Sequence, residues 1–170
     1  PEALELTLAA CRRFGCALVL GTTGLSDAQR RQAAELAKTA AVVQSANFSL
    51  GIAVLSMILA DYGPLLSDWD CEIVEAHHKA KKDAPSGTAL ALKKALGRDA
   101  VTHSLRVGGV PGDHICVLAS EQEVLTLSHR AIARSVFAAG AVRAGRFAAS
   151  ARPGLYSFID VLQTERERNS

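Results

Sequence analysis

The chain has 170 residues, 49% of them hydrophobic, with 19 Lys and Arg against 17 Asp and Glu for a formal net charge of +2. That supplies enough apolar material for a sizeable core, and the nearly cancelled, scattered charges leave no electrostatic footprint for nucleic acid or an anionic membrane. No apolar run nears the roughly 20 residues that cross a bilayer, no secretory leader pattern is visible, and Cys11, Cys16, Cys71 and Cys116 lack the short paired spacing of a zinc site. The expectation is a cytoplasmic protein with reduced thiols and a small-molecule partner.

In chain order, Glu2 to Phe14 has helical composition and Gly15 stops it. Cys16 to Leu20 is a short apolar run suited to a buried parallel strand. Because the sequence opens at Pro1 inside this helical segment, an internal boundary is expected there. After Gly21-Thr22-Thr23-Gly24, Ser26 with Gln29 makes a capping box ahead of an Ala-rich helix to about Ala40, and Ala41 to Val43 reads as another strand. Helix, strand, helix, strand is the order of an α/β domain.

A long helix is expected from about Leu50 to Leu66, then a strand from Asp70 to Ala76 with Cys71, Ile73 and Glu75 on one side. Next come a loop from His77 to Thr88 and a helix closed by Gly97. Three strands follow near Ala100 to Arg106, His114 to Ala119 and Val124 to His129, the last two joined tightly through Ser120-Glu121-Gln122. Helices from about Arg134 to Ser150 and from Tyr156 to Gln163 complete the chain. The second half is therefore α+β, a mixed or largely antiparallel sheet with helices on one face.

The chemistry concentrates in Glu75-Ala76-His77-His78-Lys79-Ala80-Lys81-Lys82-Asp83-Ala84-Pro85-Ser86-Gly87-Thr88-Ala89. Two imidazoles and three ammoniums precede a Pro-Ser-Gly-Thr helix start, where free N–H groups and the positive end of the helix dipole suit a carboxylate or phosphate. Extended side chains alternate faces, so His77 and His78 are expected to do different jobs: one donates a proton, the other pairs with a fixed negative group. A merely solvated loop and a plain helix cap fit the same residues. A metal site drawn from His77, His78, Asp83, His114 and His129 lacks zinc spacing, and none is expected.

This segment resembles the signature of dihydrodipicolinate reductases: an acidic residue, His-His, Lys, then Asp-Ala-Pro-Ser-Gly-Thr-Ala. The resemblance extends through Gly21-Thr22-Thr23-Gly24, Ala46-Asn47-Phe48-Ser49, Gly112-Asp113-His114, Gly140-Ala141-Val142-Arg143 and Gly154-Leu155-Tyr156. It implies a remnant of a Rossmann-type parallel sheet over residues 1–47, a substrate-binding, catalytic and tetramerisation domain over 48–150, and a closing segment over 151–170. It also implies reduction of 4-hydroxy-tetrahydrodipicolinate to tetrahydrodipicolinate with NADPH or NADH in diaminopimelate and lysine biosynthesis. By the same resemblance His77 and Lys81 are catalytic, and His78, Ser86, Gly87 and Thr88 bind substrate. Gly21, Thr22, Thr23, Ser45, Ala46, Asn47 and Phe48 meet the cofactor.

No Gly-x-Gly-x-x-Gly lies between a strand and a helix here, so the phosphate-binding part of the nucleotide domain is expected to lie outside this sequence, and the isolated chain is expected to be inactive or weakly active. The other reading is a non-catalytic dicarboxylate-binding or oligomerisation module. Apolar and small residues on both faces of Ile115 to Ala119, with a second face of Val124, Thr126 and Ser128, point to sheet-to-sheet contact between subunits. The resembled family makes that contact in a homotetramer.

Overall fold

The computed structural model describes residues 2–168. Contacts divide them into two compact units: the chain through Phe48 together with Phe137 onward, and Ser49–Val136.

The first unit is α/β. Helix α1 (Leu4–Phe14) buries Leu4, Leu8 and Cys11, four and three residues apart on one face, and ends at Gly15 with the Cys16 N–H donating to the Cys11 carbonyl at 3.0 Å. Strand β1 (Leu18–Leu20) starts two residues later than expected, because the chain from Gly15 is still closing the helix. Helix α2 (Asp27–Leu36) opens with the anticipated capping box on Ser26 and Gln29. It stops four residues short of Ala40, whose N–H and that of Thr39 close a turn on the Leu36 carbonyl. Strand β2 (Ala41–Gln44) runs parallel to β1, and β7 (Gly154–Tyr156) runs parallel on its other side, giving the order β1-β2-β7.

Strand β7 corrects the expected helix start at Tyr156: three residues are too few to show alternation, and helix α6 begins later (Phe158–Arg168). Helix α5 (Ser135–Ala148) packs almost wholly with this unit, whereas the sequence division kept it with the second. The physical reason is at Gly140, where a Cβ would lie 1.7 Å from the Phe48 carbonyl oxygen and 3.2 Å from Phe158. Only a residue without a side chain lets the helix backbone approach so closely.

In the second unit, helix α3 (Leu50–Tyr62) gives way to a single 3-10 turn over Gly63–Leu66, since Pro64 supplies no N–H to continue the α pattern. Strands β3 (Asp70–His77), β4 (Val101–Arg106), β5 (Asp113–Ala119) and β6 (Val124–Arg130) form a mixed sheet in the order β4-β3-β5-β6, with only β3 and β4 parallel. Helices α3 and α4 (Gly87–Leu96) cover one face, closing a core of Leu55, Leu59, Ile73, Leu92, Cys116 and Leu118. Each such leucine or isoleucine contributes about 1.5–3 kcal/mol on burial. The α/β sheet followed by a mixed sheet with helices on one face is the architecture anticipated from the sequence.

Candidate active site

His77 is not in a loop. It is the last residue of β3 and is buried, continuing the inward series Ile73, Glu75, His77. Glu75 is completely buried, a costly place for a carboxylate without partners. Its Oε1 accepts from Arg106 Nη2 at 2.8 Å and from the Ser86 N–H at 3.2 Å. Its Oε2 meets Arg106 Nη1 at 2.9 Å and His77 Nδ1 at 2.5 Å. Burial pushes this carboxyl up, but hydrogen bonds from Arg106, Ser104 and His77 outweigh burial and hold it at about 2.

Ser86 joins this group to a second histidine. Its hydroxyl caps α4, accepting from the Ala89 N–H at 3.2 Å, and lies 3.2 Å from His114 Nε2. The His114 ring stands edge-on to His77 with centroids 5.2 Å apart. Desolvation, helped by the nearby His77, lowers His114 to about 4, so it is neutral at pH 7. The arrangement recurs one strand over. Ser49 caps α3 and lies 3.1 Å from His129 Nε2, and burial lowers His129 as well. Glu75, His114 and His129 face one another directly across β3, β5 and β6.

The remaining anticipated residues divide. Lys81 makes an ion pair with Asp83 at 2.8 Å, and the same carboxylate, lowered chiefly by Lys81, also takes a hydrogen bond from the backbone of Gly87. Gly87 is exposed and Thr88 half-buried at the first turn of α4. His78 points elsewhere, its Nε2 lying 3.1 Å from Arg134 Nη2. Alternation at the strand end thus separates the two imidazoles. Among the described residues no group of three His, Cys, Asp or Glu is placed to hold a metal.

The anticipated cofactor residues all belong to the first unit. Gly21, Thr22 and Thr23 follow β1, and Ser45, Ala46, Asn47 and Phe48 follow β2, so both loops leave the carboxyl ends of adjacent parallel strands. Ligands of open α/β sheets bind at such ends. The Ser45 N–H donates to the Leu20 carbonyl at 3.1 Å, and the Ser45 hydroxyl donates to the Asn47 carbonyl at 2.7 Å. Phe48 is buried against Phe158, and a Cβ on Gly21 would lie 3.2 Å from its ring. Its ring therefore holds the loops from below. Gly21, Thr23 and Ala46 are exposed on these loops.

Glu75, Arg106 and His114 are the participants that sequence reading did not assign. Glu75 was visible as the acidic residue of the motif. The Glu75–Arg106 contact depends on the register of β3 with β4, which no local pattern announces.

Comparison with known proteins gives the family. The family profile "Dihydrodipicolinate reductase, C-terminus" matches residues 51–162, and "Dihydrodipicolinate reductase, N-terminus" matches residues 1–48. The chain belongs to the dihydrodipicolinate reductase family. Among relatives, the 4-hydroxy-tetrahydrodipicolinate reductase of Thermosipho africanus is 47% identical over 96% of this chain and 75% of that protein. The enzyme of the same name from Methanospirillum hungatei is 44% identical over 88% of this chain and 67% of its own. The fold of this dihydrodipicolinate reductase chain matches a solved structure, dipicolinate-bound dihydrodipicolinate reductase from Paenisporosarcina sp. TG-14, with a TM-score of 0.75 at 22% identity, covering 92% of this chain and 68% of the other. Dihydrodipicolinate reductases are oxidoreductases that use NADPH or NADH.

Proposed function

We propose that this chain carries the substrate and proton-donor site for reduction of 4-hydroxy-tetrahydrodipicolinate to tetrahydrodipicolinate, in the formation of diaminopimelate and lysine. The Thermosipho and Methanospirillum relatives bear the name of that activity, and the Paenisporosarcina structure holds a pyridine dicarboxylate. The observation that carries the reading is the placement of Asp83. A carboxylate bound at once by the Lys81 ammonium and the backbone of Gly87 displays the chemistry this loop accepts.

His77 gives up a proton from the nitrogen opposite Glu75, and Lys81 assists. Ser86, Gly87 and Thr88 hold one substrate carboxylate at the start of α4, while His78, with Arg134 beside it, holds the other. When bound, the reduced nicotinamide supplies the hydride, and Gly21, Thr22, Thr23, Ser45, Ala46 and Asn47 support it over loops braced by Phe48.

The open face of the second sheet supports assembly. Val101 and Leu105 on β4 and Val124 on β6 are half to two-thirds exposed on the side away from α3 and α4. We infer that this face joins subunits in a homotetramer.

Calorimetric titration of the chain with pyridine-2,6-dicarboxylate tests the site. Saturable binding is expected, weakened at least tenfold by Lys81→Met and by Thr88→Val. Absence of saturation at millimolar ligand, or binding untouched by both substitutions, refutes the placement.

A further inference from the structure

Glu75 gathers more partners than a structural ion pair requires. Both carboxylate oxygens are engaged, and three of the four partner residues come from other parts of the unit: Arg106, through two nitrogens, and Ser104 on β4, and Ser86, through its N–H, at the start of α4. The fourth partner is the imidazole assigned to proton donation. An ionised carboxylate can only accept, so the hydrogen between Glu75 and His77 belongs to His77 Nδ1.

The other nitrogen of that ring faces Gly112. A Cβ on Gly112 would lie 3.1 Å from His77 Nε2, and Gly112 has φ of 156°, in the positive region that glycine tolerates best. The position keeps the approach to Nε2 free of a side chain. Arg106 meanwhile pairs with Glu75 in a fork, and its Nη2 also donates to the Asp83 carbonyl in the loop that carries Lys81.

We propose that Glu75 and Arg106 are coupled positioning residues, Glu75 fixing the His77 proton on Nδ1 so that Nε2 is the working nitrogen, and Arg106 limiting how tightly that carboxylate holds the imidazolium. The role follows from opposing fields. A bare buried carboxylate beside the ring stabilises the charged form and makes it a reluctant acid, whereas a guanidinium on the far side of the same carboxylate offsets most of that pull. The groups facing His77 are Glu75 on its own strand, Arg106 on β4 and His114 on β5, with the Asp83 backbone behind Arg106. His114 is uncharged above the acid range, which leaves Glu75 and Arg106 as the two opposing charges. The inference rests on reading His77 as the proton donor, but its test does not.

The test is a nitrogen-15 NMR titration of the histidine side chains in the 170-residue chain, without substrate or cofactor. Neutral His77 should carry its proton on Nδ1. Glu75→Gln, which keeps an acceptor and removes the charge, and Arg106→Gln, which leaves the carboxylate unopposed, should displace the His77 nitrogen-15 signals in opposite directions along the titration. A packing role would not displace the two variants in opposite directions. Wild-type His77 protonated on Nε2, or displacements of one sign or none, overturns the proposal. Should Arg106→Gln fail to fold, Glu75→Asp keeps the charge but not the reach, and should release a population protonated on Nε2; an unchanged tautomer there overturns the proposal equally. Turnover of a His77→Gln enzyme decides separately whether His77 protonates substrate.

Discussion

Replacing Ser86 with Ala removes two things at once: the cap on the Ala89 N–H and the partner of a buried His114 nitrogen. Loss of an N-cap costs about 1 kcal/mol, and stranding a buried polar nitrogen about 1–3 kcal/mol more, so the expected destabilisation is about 2–4 kcal/mol. Urea unfolding followed by the fluorescence of Trp69, the chain's single tryptophan, reports on this unit because Trp69 packs against its core. Repeating the substitution in a His114→Leu background separates the two contributions. With no histidine to strand, Ser86→Ala should then cost only about 1 kcal/mol, leaving a coupling of about 1–3 kcal/mol. A total cost under about 0.5 kcal/mol, or equal costs in both backgrounds, would refute the idea that the helix cap and the histidine share one hydroxyl.

Acid should weaken the same unit in two successive windows. His114 has its folded pKa depressed to about 4 from an ordinary 6.5, so the unfolded chain takes up its proton first. Stability is full above pH 6.5 and falls by about 1.4 kcal/mol per unit down to about pH 4. Glu75, held at about 2 against 4.5, contributes stability that is present above pH 4.5 and lost as the pH falls toward 2. Unfolding midpoints measured from pH 7 to pH 3 should show the upper window shrink in His114→Leu to the part that the likewise lowered His129 contributes; a slope as steep as wild type there contradicts the assignment. Gly140→Ala should destabilise the first unit by about 3 kcal/mol or more, because the new methyl meets a backbone oxygen rather than a movable side chain; a thermal midpoint within two degrees of wild type argues against that packing. Gly112→Ala should cost some stability, because its φ of 156° strains an L side chain, and should lower turnover in the molecules that stay folded, since its methyl lands beside His77 Nε2; unaltered kinetics of the folded protein would show that the approach to Nε2 is not used.

Most elements were legible because their signals are local. The Ser26 capping box, the Pro-Ser-Gly-Thr start of α4 and the alternation of β3 each need only a few neighbouring residues. The site's motif was legible for the same reason. What escaped depends on distance. Arg106 reaches Glu75 across 31 residues through a strand pairing, and His114 earns its depressed pKa only once α4 lies over it. Strand β7 is defined by β2 rather than by its own three residues. The packing of helix α5 with the first unit was not legible, because the approach at Gly140 leaves no hydrophobic signature.

The row of Glu75, His114 and His129 lies across three strands, beneath the capping serines of two helices. Side chains on a strand alternate, so sliding β5 by one residue would aim Asp113 or Ile115, not His114, at Ser86. The polar machinery of this unit therefore has no partly loosened version: correct strand alignment delivers all of it, and a misaligned sheet delivers none.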